Sequence, residues 1–172
     1  MNATTYDAER KIASIEPGAT WQSVYDVITP QGVIVAGGRA GGIGAAGFIT
    51  GGGNSFFSTS HGWACDNVQN FEVVLANGSI INASIDQNND LWQALKGGSG
   101  NMGLVTRFDM YVIDFPDPEV TDIWGGIAYF NLSSADELID VYVDFVENNH
   151  EDKNSSTMLY WVYNYAGKRQ LM

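Results

Sequence analysis

The chain has 172 residues, of which 45% are hydrophobic, and it carries five Trp, eight Tyr and eight Phe. That is a globular composition, long enough to bury a core and sized for one domain or a domain and part of a second. Twenty acidic against eight scattered basic residues give a net charge of −12, which excludes a nucleic-acid binder and an anionic membrane surface as partners, and no apolar run approaches the roughly 20 residues that a membrane span needs.

In chain order, Lys11 to Glu16 reads as a short strand stopped by Pro17-Gly18. Thr20 is placed to cap a helix whose Trp21, Val24, Tyr25 and Ile28 follow helical spacing, ended by Pro30 and Gly32. Val33 to Ala36 reads as a small buried strand. Gly37 to Gly53 is too rich in glycine for a regular element. Phe71 to Leu75 and Ile80 to Ser84 read as a hairpin, with Asn77-Gly78 as a two-residue type I′ turn. Asn89 to Lys96 predicts a short helix ended by Gly97-Gly98, and Leu104 to Val112 an apolar strand.

Two of the four prolines fall in Asp114-Phe115-Pro116-Asp117-Pro118, which reads as a linker. Beyond it the sequence predicts a strand near Ile123 to Phe130, an amphipathic helix from Ser133 to Glu147 and a strand from Met158 to Tyr165. Ser133 or Ser134 is the expected cap, with Glu137 in the capping-box position behind Ser134. The expected division is therefore residues 1–113 and 119–172, the second piece being the truncated start of a further domain.

Residues 32–53 hold ten glycines. Glycine adopts backbone angles closed to other residues and lets backbone N–H groups approach a ligand with no Cβ in the way. Ten in this span point to a ligand cradle rather than a tight corner. Gly42-Ile43-Gly44-Ala45-Ala46-Gly47 satisfies G-x-G-x-x-G, and Asp66 lies roughly 20 residues on. A dinucleotide fold is rejected nonetheless: Gly51-Gly52-Gly53 would break the helix such a loop must open, Gly37 to Gly41 separate the loop from its strand, and His61 to Cys65 do not form a second apolar strand.

Three stretches carry a family resemblance: IASIEPGATWQSVYDVITPQGVIVAGGR, GGIGAAGFITGGGNSFFSTSHGWACDNVQNFEVVLANGSIINAS and NNDLWQALKGGSGNMGLVTRFDMYVI. From about Lys11 to Val112 they resemble the FAD-binding domain of the vanillyl-alcohol-oxidase-type flavoproteins, and above all the fungal members related to berberine bridge enzyme. The resemblance implies an α+β fold: the second subdomain of a two-subdomain, PCMH-type FAD-binding fold, followed by the start of an α/β substrate domain. It implies FAD as cofactor, a hydroxylated or amine-bearing small molecule as substrate and molecular oxygen as final acceptor.

The resemblance also implies site residues. Gly41, Gly42, Ile43, Gly44, Gly47, Phe48, Gly51, Gly52 and Gly53 would pass along the isoalloxazine and ribityl chain. Asn101, Gly103, Leu104 and Val105 match the family's G-N-x-G-hydrophobic-V/T segment, which contributes backbone contacts. Ile43 falls near the flavin's reactive edge, where it would affect oxygen access, and Phe48 replaces a histidine of plant relatives. Asp66-Asn67 matches a D-N pair that either braces the loop or touches the cofactor.

Departures are equally informative. The R-S-G-G-H-like loop, which in relatives binds the pyrophosphate and often links its histidine to the flavin, has no match, and the family's catalytic base would lie beyond Met172. A second tether, a cysteine in some relatives, falls at about Ala40 or Gly41 here, so that bond cannot form. Cys65, the single cysteine, reads as a packed core residue.

Five N-x-S/T sequons, at Asn2, Asn77, Asn82, Asn131 and Asn154, permit glycosylation if the parent is secreted; the N-terminal segment has no signal-peptide pattern. His61 and His150 have no metal spacing around them, and His61 reads as solvated. Tyr160, Trp161, Tyr163 and Tyr165 read as sheet packing or a substrate wall. Two rivals to an oxidase piece are a catalytically inactive fragment and a non-enzymatic binding module.

Overall fold

The computed structural model describes residues 1–115, 123–163 and 169–171. The chain divides into two compact units, Met1–Thr121 and Asp122–Met172.

The first unit is built on an antiparallel sheet in the order β1-β2-β6-β4-β5, formed by β1 (Thr4–Asp7), β2 (Ile12–Ile15), β4 (Val68–Val74), β5 (Ile80–Ser84) and β6 (Leu104–Asp114), with β3 (Val33–Val35) pairing the far end of β6. The long β6 is the spine, bonded to β4, β2 and β3 in turn. Every pairing among the described residues is antiparallel. That is not the parallel βαβ arrangement of a dinucleotide fold.

One face of this sheet carries the core, where Ala13, Ile15, Phe71, Val73, Phe108 and Met110 pack under helix α1 (Trp21–Ile28), helix α2 (Ala45–Thr50) and the Leu95 end of helix α4 (Asn89–Leu95). Phe71 and Phe108 sit directly opposite each other on β4 and β6, with ring centroids 5.7 Å apart at an interplanar angle of 75°. This is the edge-to-face geometry that aromatic quadrupoles favour.

The other face carries a polar network. Asp109, only 4% exposed, accepts from Ser14 Oγ at 2.6 Å, Asn70 Nδ2 at 2.9 Å and Arg107 Nε at 2.9 Å. Arg107 Nη1 also donates to Glu72 Oε2 at 2.7 Å. Burial pushes the Asp109 carboxyl up, but the three donors outweigh it and leave the group below its ordinary value.

Several expectations hold in detail. Thr20 caps α1: its hydroxyl accepts from Ser23 N, and Ser23 Oγ accepts from Thr20 N. The α1 stripe of Trp21, Val24 and Ile28 is buried. Others need correction. The stretch 37–53 is not wholly irregular, because it contains α2. Glycine at position 47 weakens that helix, yet Ala45 and Ile49 are fully buried one turn apart; tertiary burial outweighs propensity. The hairpin turn is not type I′ either. Asn77 lacks the positive φ that type requires, and Gly78 alone has it, at 81°. Gly78 N donates to Leu75 O and Leu75 N to Ser79 O, which makes a three-residue loop. The β6 strand also runs on to Asp114, into the segment expected to be linker. Of that linker, residues 116–118 lie outside the described residues.

The second unit contains β7 (Phe130–Asn131), α5 (Ala135–Asn148), β8 (Trp161–Tyr163) and β9 (Arg169–Leu171), with the strands in the order β7-β9-β8. The strand expected at 123–130 shrinks to two residues. Gly125 and Gly126 offer no side chain to pack, and only Phe130 and Asn131 find a partner, in β9. Ser134 does not cap α5 through its side chain; Asn131 instead accepts from Ser133 N, at the turn that precedes the helix. The strand expected at 158–165 is observed over Trp161–Tyr163, and Tyr165 lies outside the described residues.

Candidate functional site

The glycine stretch is fastened at both ends and open in the middle. At its start, Gly37 and Gly38 lie across the Trp21 indole. A Cβ on Gly37 would stand 2.5 Å from that ring and 2.6 Å from Tyr25 Oη, and one on Gly38 would stand 2.4 Å from Trp21 Cδ1. Side chains at these positions would displace the platform, so these glycines answer to the chain's own packing. Tyr25 Oη donates to Gly38 O at 2.8 Å and pins the strap from below. Burial pushes the Tyr25 phenol well above its ordinary value, so it stays a donor across the accessible pH range. The strap is then zipped along the start of α1: Gln22 N donates to Gly41 O, Trp21 N to Ile43 O and Ala45 N to Ala19 O.

At its far end, Gly53 has φ 79°, and a Cβ there would meet Phe48 Cε1 at 2.6 Å and Ala64 Cβ at 2.7 Å. Ala64 N donates to Gly53 O, and Cys65 N to Gly52 O. Asp66 and Asn67 hold the adjoining turn. Asp66 Oδ2 accepts from Trp63 N, and Asn67 Nδ2 donates to the carbonyls of His61 and Trp63. Of the two roles left open for this pair, the observed bonds are those of a brace. Cys65 is buried, and its thiol is pushed up by burial and by Asp66, so it stays protonated within the core. His61 is exposed at the end of helix α3 (Ser58–His61), with Ser60 Oγ 2.8 Å from its Nδ1.

Gly42 and Gly44 alternate with the bonded positions of the strap, and Gly47 lies beyond it, before the second anchor. None has positive φ, and a Cβ on any of them would meet nothing within 4 Å. The chain's own packing gives no reason for glycine at these three positions. Gly47 even sits inside α2, where alanine would be more favourable by about 1 kcal/mol. Glycines kept where the fold does not need them are what close approach of a flat ligand requires.

Beside them opens a cavity of about 180 Å³ lined by Gly38, Arg39, Ala40, Ile43, Phe48 and Asn54. Phe48 in that lining is edge-on to Trp21 with centroids 5.2 Å apart, and Ile43 stands at 52% exposure. Trp21 Nε1, fully buried against Gly38, has no hydrogen-bond partner among the described residues. Arg39 is the one charged lining residue, its guanidinium 5.8 Å from the centroid of Phe56. The sequence singles out neither Arg39 nor Asn54, and it places Tyr25 only on the apolar stripe of α1; an arginine directly after a Gly-Gly pair is the available signal.

The segment 101–105 divides. The turn Ser99–Asn101 packs against α2, which brings Asn101 to the Gly47 helix, although the Asn101 amide donates back to Gly98 O. Gly103, φ 139°, is required by the fold, since a Cβ would meet Val73 Cγ1 at 2.7 Å. Leu104 is 73% exposed and Val105 packs against the core.

The chain is similar to known proteins in sequence and in fold. Residues 1–84 match the family model described as "FAD binding domain". The chain is 42% identical over 163 residues to an FAD-dependent monooxygenase of Aspergillus calidoustus, covering 95% of this chain and 30% of the relative. The berberine bridge enzyme of Eschscholzia californica superposes with a TM-score of 0.79 over 99% of this chain and 33% of its own, at 22% identity. A berberine-bridge-like protein of Physcomitrella patens does so with 0.63 over 66% of this chain and 25% of its own, at 31% identity. The chain spans about a third of the length of the curated relatives it matches.

Proposed function

We propose, for a chain that carries part of the FAD-binding domain of the vanillyl-alcohol-oxidase and berberine-bridge-enzyme family, that the open glycines and the cavity beside them are its share of the flavin site. The single observation that carries this reading is the set Gly42, Gly44 and Gly47, free of any packing or backbone demand for glycine.

In this reading the backbone of Gly41, Gly42, Gly44, Gly47, Gly51, Gly52 and Gly53 would hold the flavin, together with Ile43 and Phe48. Asn101, Gly103, Leu104 and Val105 contribute backbone from the neighbouring turn. FAD held there would supply two-electron, hydride-accepting chemistry toward a hydroxylated or amine-bearing small molecule, with molecular oxygen as the final acceptor.

The chain's own residues bind and orient. Tyr25 and Trp21 hold the strap that lines the cavity, which supports a fixed rather than adaptable wall. Ile43 and Phe48 keep that wall apolar and limit water at the reacting edge. Neither Ala40 nor Gly41 offers a thiol that could bond the flavin, so this part of the site would hold it non-covalently. The chain alone holds the cofactor without turning substrate over, because at about a third of its relatives' length it brings only a share of their machinery.

Flavin content tests the reading. The purified chain is reconstituted with FAD, freed of excess and its visible absorbance recorded before and after acid precipitation. A yellow protein that releases its flavin into the supernatant is expected. A protein that stays colourless at saturating FAD contradicts the reading, and flavin retained in the pellet contradicts non-covalent binding.

A further inference from the structure

Asn77-Gly78 is the single Asn-Gly pair in the sequence, and it sits at the tip of the β4–β5 hairpin, where Ala76, Asn77, Gly78 and Ser79 are all exposed. The Asn77 side-chain carbonyl is gripped from one side: Oδ1 accepts from Ser79 N at 3.0 Å and from Ser79 Oγ at 2.7 Å. Asn77 Nδ2 donates to no group among the described residues. Gly78 has φ 81°, and a Cβ on it would meet nothing within 4 Å. Its N–H is spanned only by the loop's own bond to Leu75 O, at 2.9 Å.

Two donors aimed at one amide oxygen are the arrangement that stabilises an oxyanion. They draw electrons from Asn77 Cγ and would hold the charge that gathers on Oδ1 when a nucleophile adds there. The nearest nucleophile along the chain is Gly78 N, and glycine leaves it unhindered because it carries no Cβ. The unbonded Nδ2 is in place to depart. Other asparagines lack this combination. Asn82 Oδ1 accepts from Asn70 Nδ2, and the next residue, Ala83, is fully buried in β5. Asn67 commits its Nδ2 to the carbonyls of His61 and Trp63, with the buried Val68 behind it.

We infer that Asn77 is a self-modification site, deamidated through a cyclic imide with Gly78 N as nucleophile, the Ser79 N–H and hydroxyl as oxyanion donors, and water as co-reactant. Gly78 N gives its proton to solvent base and bonds to Asn77 Cγ. The Cγ–Nδ2 bond breaks and ammonia leaves. Water then opens the imide at either carbonyl, giving an aspartyl or an isoaspartyl linkage. The net change is one water consumed and one ammonia released, with nothing oxidised or reduced. Either product adds a negative charge to the hairpin tip and ends the Asn77 sequon, and the isoaspartyl form lengthens the backbone of the loop. No residue of this loop lines the flavin cavity, so the inference stands apart from the flavin-site reading.

The purified chain is incubated in mildly alkaline buffer. Its asparagine-containing peptides are followed by mass spectrometry, and isoaspartate by enzymatic methylation. The Asn77 peptide should convert ahead of every other, and faster as pH rises, because Gly78 attacks through its deprotonated nitrogen. Asn77→Gln should remove the isoaspartyl signal. Ser79→Ala should slow conversion by about threefold, the worth of one exposed hydrogen bond, and Ser79→Thr, which keeps the hydroxyl, should restore it. In strong denaturant, where the turn is lost, wild type and Ser79→Ala should convert alike. An Asn77 peptide that stays intact while others convert, or an isoaspartyl signal that survives Asn77→Gln, overturns the site. A rate in the folded chain that Ser79→Ala leaves unchanged overturns the role given to Ser79.

Discussion

Gly47 and Gly53 lie six residues apart in the same stretch and have opposite reasons for being glycine. At Gly53 the backbone angle and two neighbouring side chains forbid anything larger. Gly53→Ala should therefore lower stability by about 2 kcal/mol or more, read as a fall in the midpoint of thermal unfolding. At Gly47 the fold would accept a methyl group. Gly47→Ala should leave the midpoint unchanged or raise it slightly, since alanine favours the helix by about 1 kcal/mol, while FAD affinity falls. Tyr25 is a third case. Tyr25→Phe removes one buried hydrogen bond to Gly38, worth about 1 kcal/mol, and should speed amide exchange at Gly37 to Gly41 more than elsewhere. Uniform acceleration would instead mark Tyr25 as a general core residue.

Among the elements, those the sequence announced are the ones whose local and tertiary demands agree. Helix α1 shows a cap, an apolar stripe and a proline stop, and all three are used. Helix α2 was not legible, because its glycines argue against a helix and only the burial of Ala45 and Ile49 argues for one. The strand β1 went unseen because Thr4–Asp7 has no apolar pattern; it is an edge strand held by pairing to β2. The proposed cradle rests in the sequence on glycine density and the family resemblance. Its platform was not legible, since Trp21 and Tyr25 on an apolar stripe read as core, which Trp21 also is. The hidden tie across β2, β4 and β6 is the Asp109 network, whose Ser14 and Asn70 lie far from Asp109 in sequence. Asp109→Ala leaves Ser14, Asn70 and Arg107 short of an acceptor and should cost about 2 to 3 kcal/mol. The Asp109 carboxyl is depressed in the fold, so its contribution is complete above the unfolded value of about 3.9 and is lost as pH falls through the lower folded value. Wild type should lose stability as pH falls below about 4 more steeply than Asp109→Asn, measured by thermal unfolding over that acid range.

For the whole molecule, the two units differ in how much they bury. Met1–Thr121 holds every residue of the core, whereas no residue of α5 is buried and Trp124 is 97% exposed. Local stability follows burial. Amide exchange should therefore be slowest in β4 and β6 and fast throughout α5; an α5 as protected as β6 would contradict this ranking.

The central claim is that the open glycines are shaped for FAD rather than for the fold. Equilibrium titration of FAD into wild-type chain and Gly47→Ala, each with its thermal midpoint recorded, tests it most directly. The account predicts saturable binding by wild type and an affinity loss of about tenfold or more in the variant, with no loss of thermal stability. Equal affinities, or a variant that loses binding only because it no longer folds, would contradict it.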